Sequence, residues 1–308
     1  MQGITPFLWF DDNAEEAVNF YTSIFENAAI GNMMRYDEAG AKVSGRPNGS
    51  VMTASFNLNG HEFVALNGGP VFRFNPSISF FLNFDPSKEK NARQNLDELW
   101  EKLSQGGTPL MSLDKYPFSE RYGWIQDKYG LSWQFILSNP DGEERPFIVP
   151  SLMFVGTVSG KAEEASDFYI SVFNNKKRGI VARYPKGMDP DKEDTIMFTD
   201  FMIENQWFAA MDSAHEHGFN FNEAISFVVN CENQKEVDYY WEKLSAVPQA
   251  EMCGWLKDKF GVSWQIVPTI LSKLLGDKDQ NKSQKVMQAM LQMKKIIIAD
   301  LEKAAEGN

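Results

Sequence analysis

The side chains of this chain that could do chemistry are few, and their spacing narrows what that chemistry can be. Its histidines are His61, His215 and His217. His215-Glu216-His217 is the one close pair, a spacing that holds a metal if further ligands join it, but it follows Asp212-Ser213-Ala214 in what reads as a loop, where a solvated role is the alternative. Asp212, matched earlier in the chain by Asn67, falls at a strand end, where a carboxylate acts either as a base or as a turn-former. Glu15, Glu16, Glu163 and Glu164 sit in the first turns of two predicted helices, and the helix dipole accounts for them without catalysis. No GxGxxG turn follows a predicted strand and no phosphate-binding loop occurs, so no cradle for a dinucleotide or a nucleoside triphosphate is recognisable.

The elements that must position these residues occur twice. Ala14–Phe25 (AEEAVNFYTSIF) and Ala162–Phe173 (AEEASDFYISVF) agree at 8 of 12 positions, and Gly123–Ile136 (GWIQDKYGLSWQFI) and Gly254–Val267 (GWLKDKFGVSWQIV) at 8 of 14. The pentapeptide Trp100–Ser104 (WEKLS) returns at Trp241–Ser245. Each repeat is far longer than a solenoid unit and long enough to bury its own core, so residues 1–140 and 148–268 read as two domains around a turn-rich linker, 141–147. The first copy owns an extra segment, Gly107–Tyr122, which the second lacks.

Hydrophobic periodicity orders each repeat. Ile4–Phe10 reads as a strand, Ala14–Phe25 as a helix, and Ile30–Tyr36, Val51–Leu58 and Glu62–Leu66 as three strands, the last two joined by the hairpin signal Asn59-Gly60. The order βαβββ then restarts: a strand at Ser77–Phe84, a helix at Asn91–Ser104 with Leu96, Leu99, Trp100 and Leu103 inward, and a closing strand at Leu131–Leu137. One domain thus holds two βαβββ modules and is expected to fold alone. Beyond Pro268 lies an unrepeated extension, 269–308, in which Lys282–Ala305 predicts one helix with Val286, Met287, Met290, Met293, Ile297 and Leu301 on one side. Such a stripe packs on the second domain or takes a partner.

A net charge of −12 with a pI near 4.8 leaves no basic surface for nucleic acid or anionic membrane. No apolar run approaches the roughly 20 residues of a membrane span. Cys231 and Cys253 lie in one repeat without counterparts in the other, which is no disulfide framework, and the amino-terminal residues lack a secretory pattern; a cytoplasmic protein is expected.

The AEEAxxFYxxxF helix, the WEKL helix and the closing GWxxDKxGxSWQ strand together resemble the vicinal-oxygen-chelate superfamily of glyoxalase and bleomycin-resistance proteins, and most closely its PhnB-like branch, often labelled a demethylubiquinone methyltransferase. The resemblance implies an α+β fold of two tandem domains, each of two βαβββ modules whose strands curl into a U-shaped sheet with helices outside and a ligand cavity inside. It also implies an intramolecular pseudo-dimer, which a second copy could extend to a homodimer. Enzymes of that superfamily hold a divalent metal through His, Gln or Glu on the first and last strands of the modules. Carried over, those positions fall at about Pro6 and Pro150, at Leu66 or Asn67 and Met211 or Asp212, at Ser77 and Ala224, and at Gln134 and Gln265. One glutamine per domain holds no metal, so neither metal nor cofactor is expected. The glycine-rich loop usual for a methyl donor is missing as well.

What the resemblance leaves is a cavity with neutral polar groups: Ser79, Asn83, Ser132 and Gln134 in the first copy, Ser226, Asn230, Ser263 and Gln265 in the second. Such a set suits a small apolar or mixed-polarity molecule oriented by hydrogen bonds, or equally a filled interior whose polar side chains serve the backbone. Tyr116 and Arg121 on the extra segment are expected either to close over the first cavity as an aromatic lid or to pack across the barrel end. The leading function is metal-free small-molecule binding. The alternatives are a lyase, isomerase or dioxygenase of the same fold, and an assembly domain with filled cavities.

Overall fold

Strand and helix alternate in four successive modules, which the computed structural model describes over residues 3–36 and 38–307. The first runs β1 (Ile4–Phe10), α1 (Ala14–Ile24), β2 (Ala29–Arg35), a short α2 (Glu38–Ser44), β3 (Val51–Leu58) and β4 (His61–Asn67); the second β5 (Ile78–Phe84), α3 (Ala92–Ser104), β6 (Thr108–Tyr116), β7 (Ser119–Gln126) and β8 (Ser132–Leu137). The third holds β9 (Ile148–Phe154), α4 (Ala162–Val172), β10 (Lys177–Arg183), β11 (Ile196–Ile203) and β12 (Gln206–Asp212), and the fourth β13 (Ile225–Cys231), α5 (Gln234–Leu244), β14 (Trp255–Lys257) and β15 (Ser263–Pro268). Helices α6 (Ile270–Leu275), α7 (Gln280–Leu291) and α8 (Ile298–Glu306) end the chain. This is the expected α+β architecture. Among the described residues, no helix is long and apolar enough to cross a membrane.

The chain divides into two compact units, Leu8–Ala224 and Met1–Phe7 with Ile225–Asn308. In the larger unit, eight strands form one sheet in the order β10-β11-β12-β9-β5-β8-β7-β6. Two modules share this sheet, as expected, but one comes from each repeat. β5 runs antiparallel to β9, from Ile78 opposite Leu152 to Leu82 opposite Ile148. That corrects the expectation of a sheet closed within residues 1–140. The connection from β8 to β9 passes one intervening strand, about 10 Å at normal strand spacing, which so short a linker spans easily.

The repeated motifs turn out to build the fold. Asp127, in the buried turn before β8, accepts hydrogen bonds from Tyr21 Oη of α1 (2.7 Å), Trp133 Nε1 (2.9 Å) and the amides of Tyr129 (2.9 Å) and Leu131 (3.0 Å). In the smaller unit Asp258 takes the amides of Phe260 and Val262 and Trp264 Nε1 in the same way. Gly130 and Gly261 close these turns at φ of 87° and 91°, which a Cβ would resist. Burial raises the Asp127 carboxyl above its usual range against the pull of these donors.

Two expectations about local structure are corrected. Gly107–Tyr122 is not a loop, because most of it forms the hairpin β6–β7, with Thr108 opposite Gln126 and Tyr116 opposite Ser119. The carboxy-terminal stripe is not one helix: it breaks between α7 and α8, where the carbonyls of Met293 and Lys294 accept from the amides of Cys253 (2.8 Å) and Gly254 (2.7 Å). Those two amides precede β14, the edge that has no hairpin in the second copy, so the extension supplies acceptors where β6 serves the first. Leu271, Val286, Ile296 and Leu301 bury the stripe, consistent with packing on this unit.

One buried histidine makes stability depend on pH. His61 and Gln206 open the second strands of two equivalent hairpins, and Gln206 Nε2 lies 3.2 Å from His61 Nε2. Burial lowers the imidazole from 6.5 to about 4, so folding favours the neutral ring. The contribution is complete above about pH 6.5 and lost as pH falls toward 4, a loss of up to about 3 kcal/mol. Urea titrations across this window check it; His61→Gln, which copies the other hairpin, is expected to flatten the dependence.

Candidate functional site

The inner face of the eight-stranded sheet is where chemistry-bearing side chains converge. Register and alternation place Ser79, Phe81 and Asn83 of β5, Ser132, Gln134 and Ile136 of β8, Val149, Ser151 and Met153 of β9, Trp207, Ala209 and Met211 of β12, and Phe198, Asp200 and Met202 of β11 on this side. Phe81 and Phe198 stand three strands apart, about 14 Å on a flat sheet, yet their ring centroids are 5.9 Å apart, edge to face. The sheet therefore curls about this face. Phe81, Tyr122, Val149, Trp207 and Ala209 form the buried floor, and Met111, Tyr116, Trp124, Phe198, Met202 and Met211 pack over it.

Polar groups on the floor are held by one another. Gln134 Nε2 donates to Ser79 Oγ at 2.8 Å, and Tyr122 Oη donates to Gln134 Oε1 at 2.6 Å. Trp124 Nε1 donates to Ser132 Oγ at 2.7 Å. These bonds fix the amide's orientation, while burial, with Tyr116 nearby, pushes the Tyr122 phenol far above its usual range. Ser151 is different. It lies opposite Ser79, 1% exposed, and its hydroxyl has no hydrogen-bond partner. Sequence reasoning passed it over because its counterpart in the first copy is Phe7, so repeat matching carried no signal there.

Of the other expected residues, Asn83 donates to the carbonyl of Pro146 at 2.9 Å and so holds the linker. Tyr116 stacks with Phe118 and meets Tyr122 edge to face, packing against the floor. Arg121, one residue from the inward Tyr122, turns to the helix side, where it pairs with Asp97 of α3 at 2.7 Å. There it lines a surface depression of about 460 Å³ beside α3. In the smaller unit Gln265 Nε2 donates to Ser226 Oγ at 3.0 Å, the backbone N–H of Asn230 donates to the carbonyl of Gly3 at 3.3 Å, and Ser263 Oγ is buried without a partner. Cys253 occupies the position that Tyr122 has in the first copy.

Asn67 and Asp212 prove to be helix caps. Asn67 Oδ1 accepts the Ala14 amide at 2.8 Å and Asp212 Oδ1 the Ala162 amide at 3.0 Å, across 53 and 50 residues of chain. Asp212 Oδ2 takes the Ile196 amide as well, which leaves it poorly placed as a base. His217 Nε2 bonds Ser213 Oγ at 2.7 Å and His215 lies 3.5 Å from Asp191. Among the described residues no three His, Cys, Asp or Glu side chains come together as a metal site. The residues at the superfamily's metal positions do not fit a divalent ion: proline, serine, alanine and a hydrogen-bonded glutamine stand there, and at the remaining one leucine and methionine alternate with Asn67 and Asp212, which are taken up as helix caps.

A family profile described as 3-demethylubiquinone-9 3-methyltransferase matches residues 2–136 and again 146–267. The chain belongs to that family. Among solved structures, a PhnB protein from Bacillus cereus is 40% identical over 44% of this chain and 98% of its own, with a TM-score of 0.39. A protein from Staphylococcus aureus is 31% identical over 44% of this chain and 97% of its own, at 0.18. Glyoxalase I from Zea mays shares 12% identity over 86% of this chain and 91% of its own at 0.50, a likeness of fold alone. No curated protein matches. At the β1–α1 and β9–α4 junctions the first helix amide, of Ala14 and of Ala162, is taken by Asn67 and Asp212 rather than left open to an anionic or polar ligand.

Proposed function

We propose that this member of the demethylubiquinone methyltransferase family is a cytoplasmic protein that binds a small, planar, mostly apolar molecule on the inner face of its eight-stranded sheet. The observation that carries the reading is Ser151: a buried hydroxyl without a partner, at the centre of an aromatic floor, beside a glutamine whose orientation is fixed. An unsatisfied buried hydroxyl costs stability, and a ligand oxygen or nitrogen would relieve that cost. Methionines 111, 202 and 211 cover the floor, and their flexible thioethers can repack around an aromatic guest. The chemistry supported is recognition. The acidic surface and two free cysteines fit the cytoplasm, and a small molecule rather than nucleic acid or membrane fits the charge.

Titration of 1-naphthol, a flat ring with one hydroxyl, into the native protein tests this by calorimetry. Saturable binding is expected, weakened about 5- to 10-fold in Ser151→Ala, the equivalent of one neutral hydrogen bond. The thermal midpoint should hold or rise slightly in that variant. Absence of binding to the native protein, or unchanged affinity in Ser151→Ala, would sink the proposal. A second reading, an interior that is simply core, is favoured by Gln134, whose amide oxygen and nitrogen both have protein partners.

A further inference from the structure

The linker between the repeats reaches into the groove. The guanidinium of Arg145 lies over the Trp207 ring, 3.7 Å from its centroid, while its Nε donates to Asp200 Oδ2 at 2.6 Å and its Nη2 to Oδ1 at 3.4 Å. Nη1 donates to the carbonyls of Glu143 and Glu144, so the linker folds around its own arginine, and the bond from Asn83 to the Pro146 carbonyl fastens the segment to β5. Both side chains of the pair are largely withdrawn from water, at 11% and 5% exposure.

The five central strands, β11, β12, β9, β5 and β8, place one carboxylate on the inner face, and it is Asp200. Part of its role is architectural: Oδ1 accepts the Ile180 amide at 2.6 Å and anchors the bulge between Arg178 and Val181 in β10. The bulge does not need a charge for that. In the first copy the matching bulge in β2 is anchored by a serine, Ser55 Oγ accepting the Asn32 amide at 2.8 Å. The negative charge at Asp200 is thus surplus to the backbone's requirement, and it faces the groove next to an indole face. A carboxylate beside an indole is a site for a planar cation, and at present Arg145 is that cation.

We propose that Arg145 determines the charge selectivity of the groove: by neutralising Asp200 and covering Trp207 it makes the inner face accept neutral planar aromatics and reject aromatic cations. The inference rests on the groove being a binding site. Quinoline and N-methylquinolinium share a shape and differ by one charge, and near neutral pH both are titrated calorimetrically into the full-length protein and its variants. The native protein is expected to prefer quinoline. Arg145→Met uncovers the carboxylate and the indole, and the preference should reverse to N-methylquinolinium by about tenfold, the scale of one desolvated cation–aromatic contact. Arg145→Met with Asp200→Ser keeps the bulge anchor as Ser55 does, and there the cation preference should vanish. Should Arg145→Met fail the circular-dichroism check for folding, Arg145→Gln, which retains a donor for Asp200, is read by the same criterion. A variant that still prefers quinoline, or a double variant that still prefers the cation, overturns the proposal while leaving the groove intact. Failure of both probes to bind native protein and variants alike removes the groove reading and this inference with it.

Discussion

Asp127→Ala is expected to destabilise the protein by about 3 to 5 kcal/mol, the cost of stripping a buried, fully bonded charge from its partners. The substitution removes the acceptor for Tyr21 Oη, Trp133 Nε1 and two backbone amides together, and every one of those donors is left without its bond in a buried turn. Tyr21 and Trp133 are both fully buried, so water cannot take over without opening the contact between α1 and β8. Differential scanning calorimetry is expected to show the thermal midpoint lowered by about 10 °C, given the few degrees per kcal/mol usual for domains of this size. Tyr21→Phe removes one donor and leaves the others bonded, and should cost about 1 kcal/mol. Equal costs for the two variants would mean that the carboxylate is not the hub.

A chain ending at residue 140 is expected to give no folded monomer. It would keep β5 but lose β9, and with it the ladder from Ile78–Leu152 to Leu82–Ile148. The groove floor would lose Val149, Trp207 and Ala209, leaving Phe81 and Tyr122 uncovered. An exposed apolar strand edge beside an exposed aromatic floor seeks another chain. Size-exclusion chromatography with light scattering should therefore find dimers or larger species, and a monomer unfolding cooperatively would show that the first repeat closes on itself after all.

The contrast between these two predictions follows from what each level of description contains. The turn that Asp127 organises was legible in the sequence as a repeated string, DKxGxSWQ, because its interactions are nearly all local: the aspartate, the amides two and four residues on, the glycine and the tryptophan six residues on lie within one motif. The same holds for the amphipathic helices and for the order βαβββ, where residue periodicity alone names the buried side, and the family follows from those motifs. Gln134 and Ser79 could be placed on one face by strand alternation, a rule with a range of a few residues. Which module shares a sheet with which could not be read, since β5 can pair with any strand of suitable pattern and only the assembled chain selects β9. Ser151 stayed hidden for the same reason: whether a serine on an apolar strand is solvated, bonded or orphaned depends on neighbours more than fifty residues away on either side of it in the sheet. Arg145, in a stretch that reads as a polar linker, became part of the groove because tertiary packing set Asp200 and Trp207 within its reach. The sequence by itself determined the local units and the side of each that is buried; the tertiary structure alone decided their pairing and the contents of the face they enclose, because long-range contacts depend on competition among surfaces that local pattern does not rank.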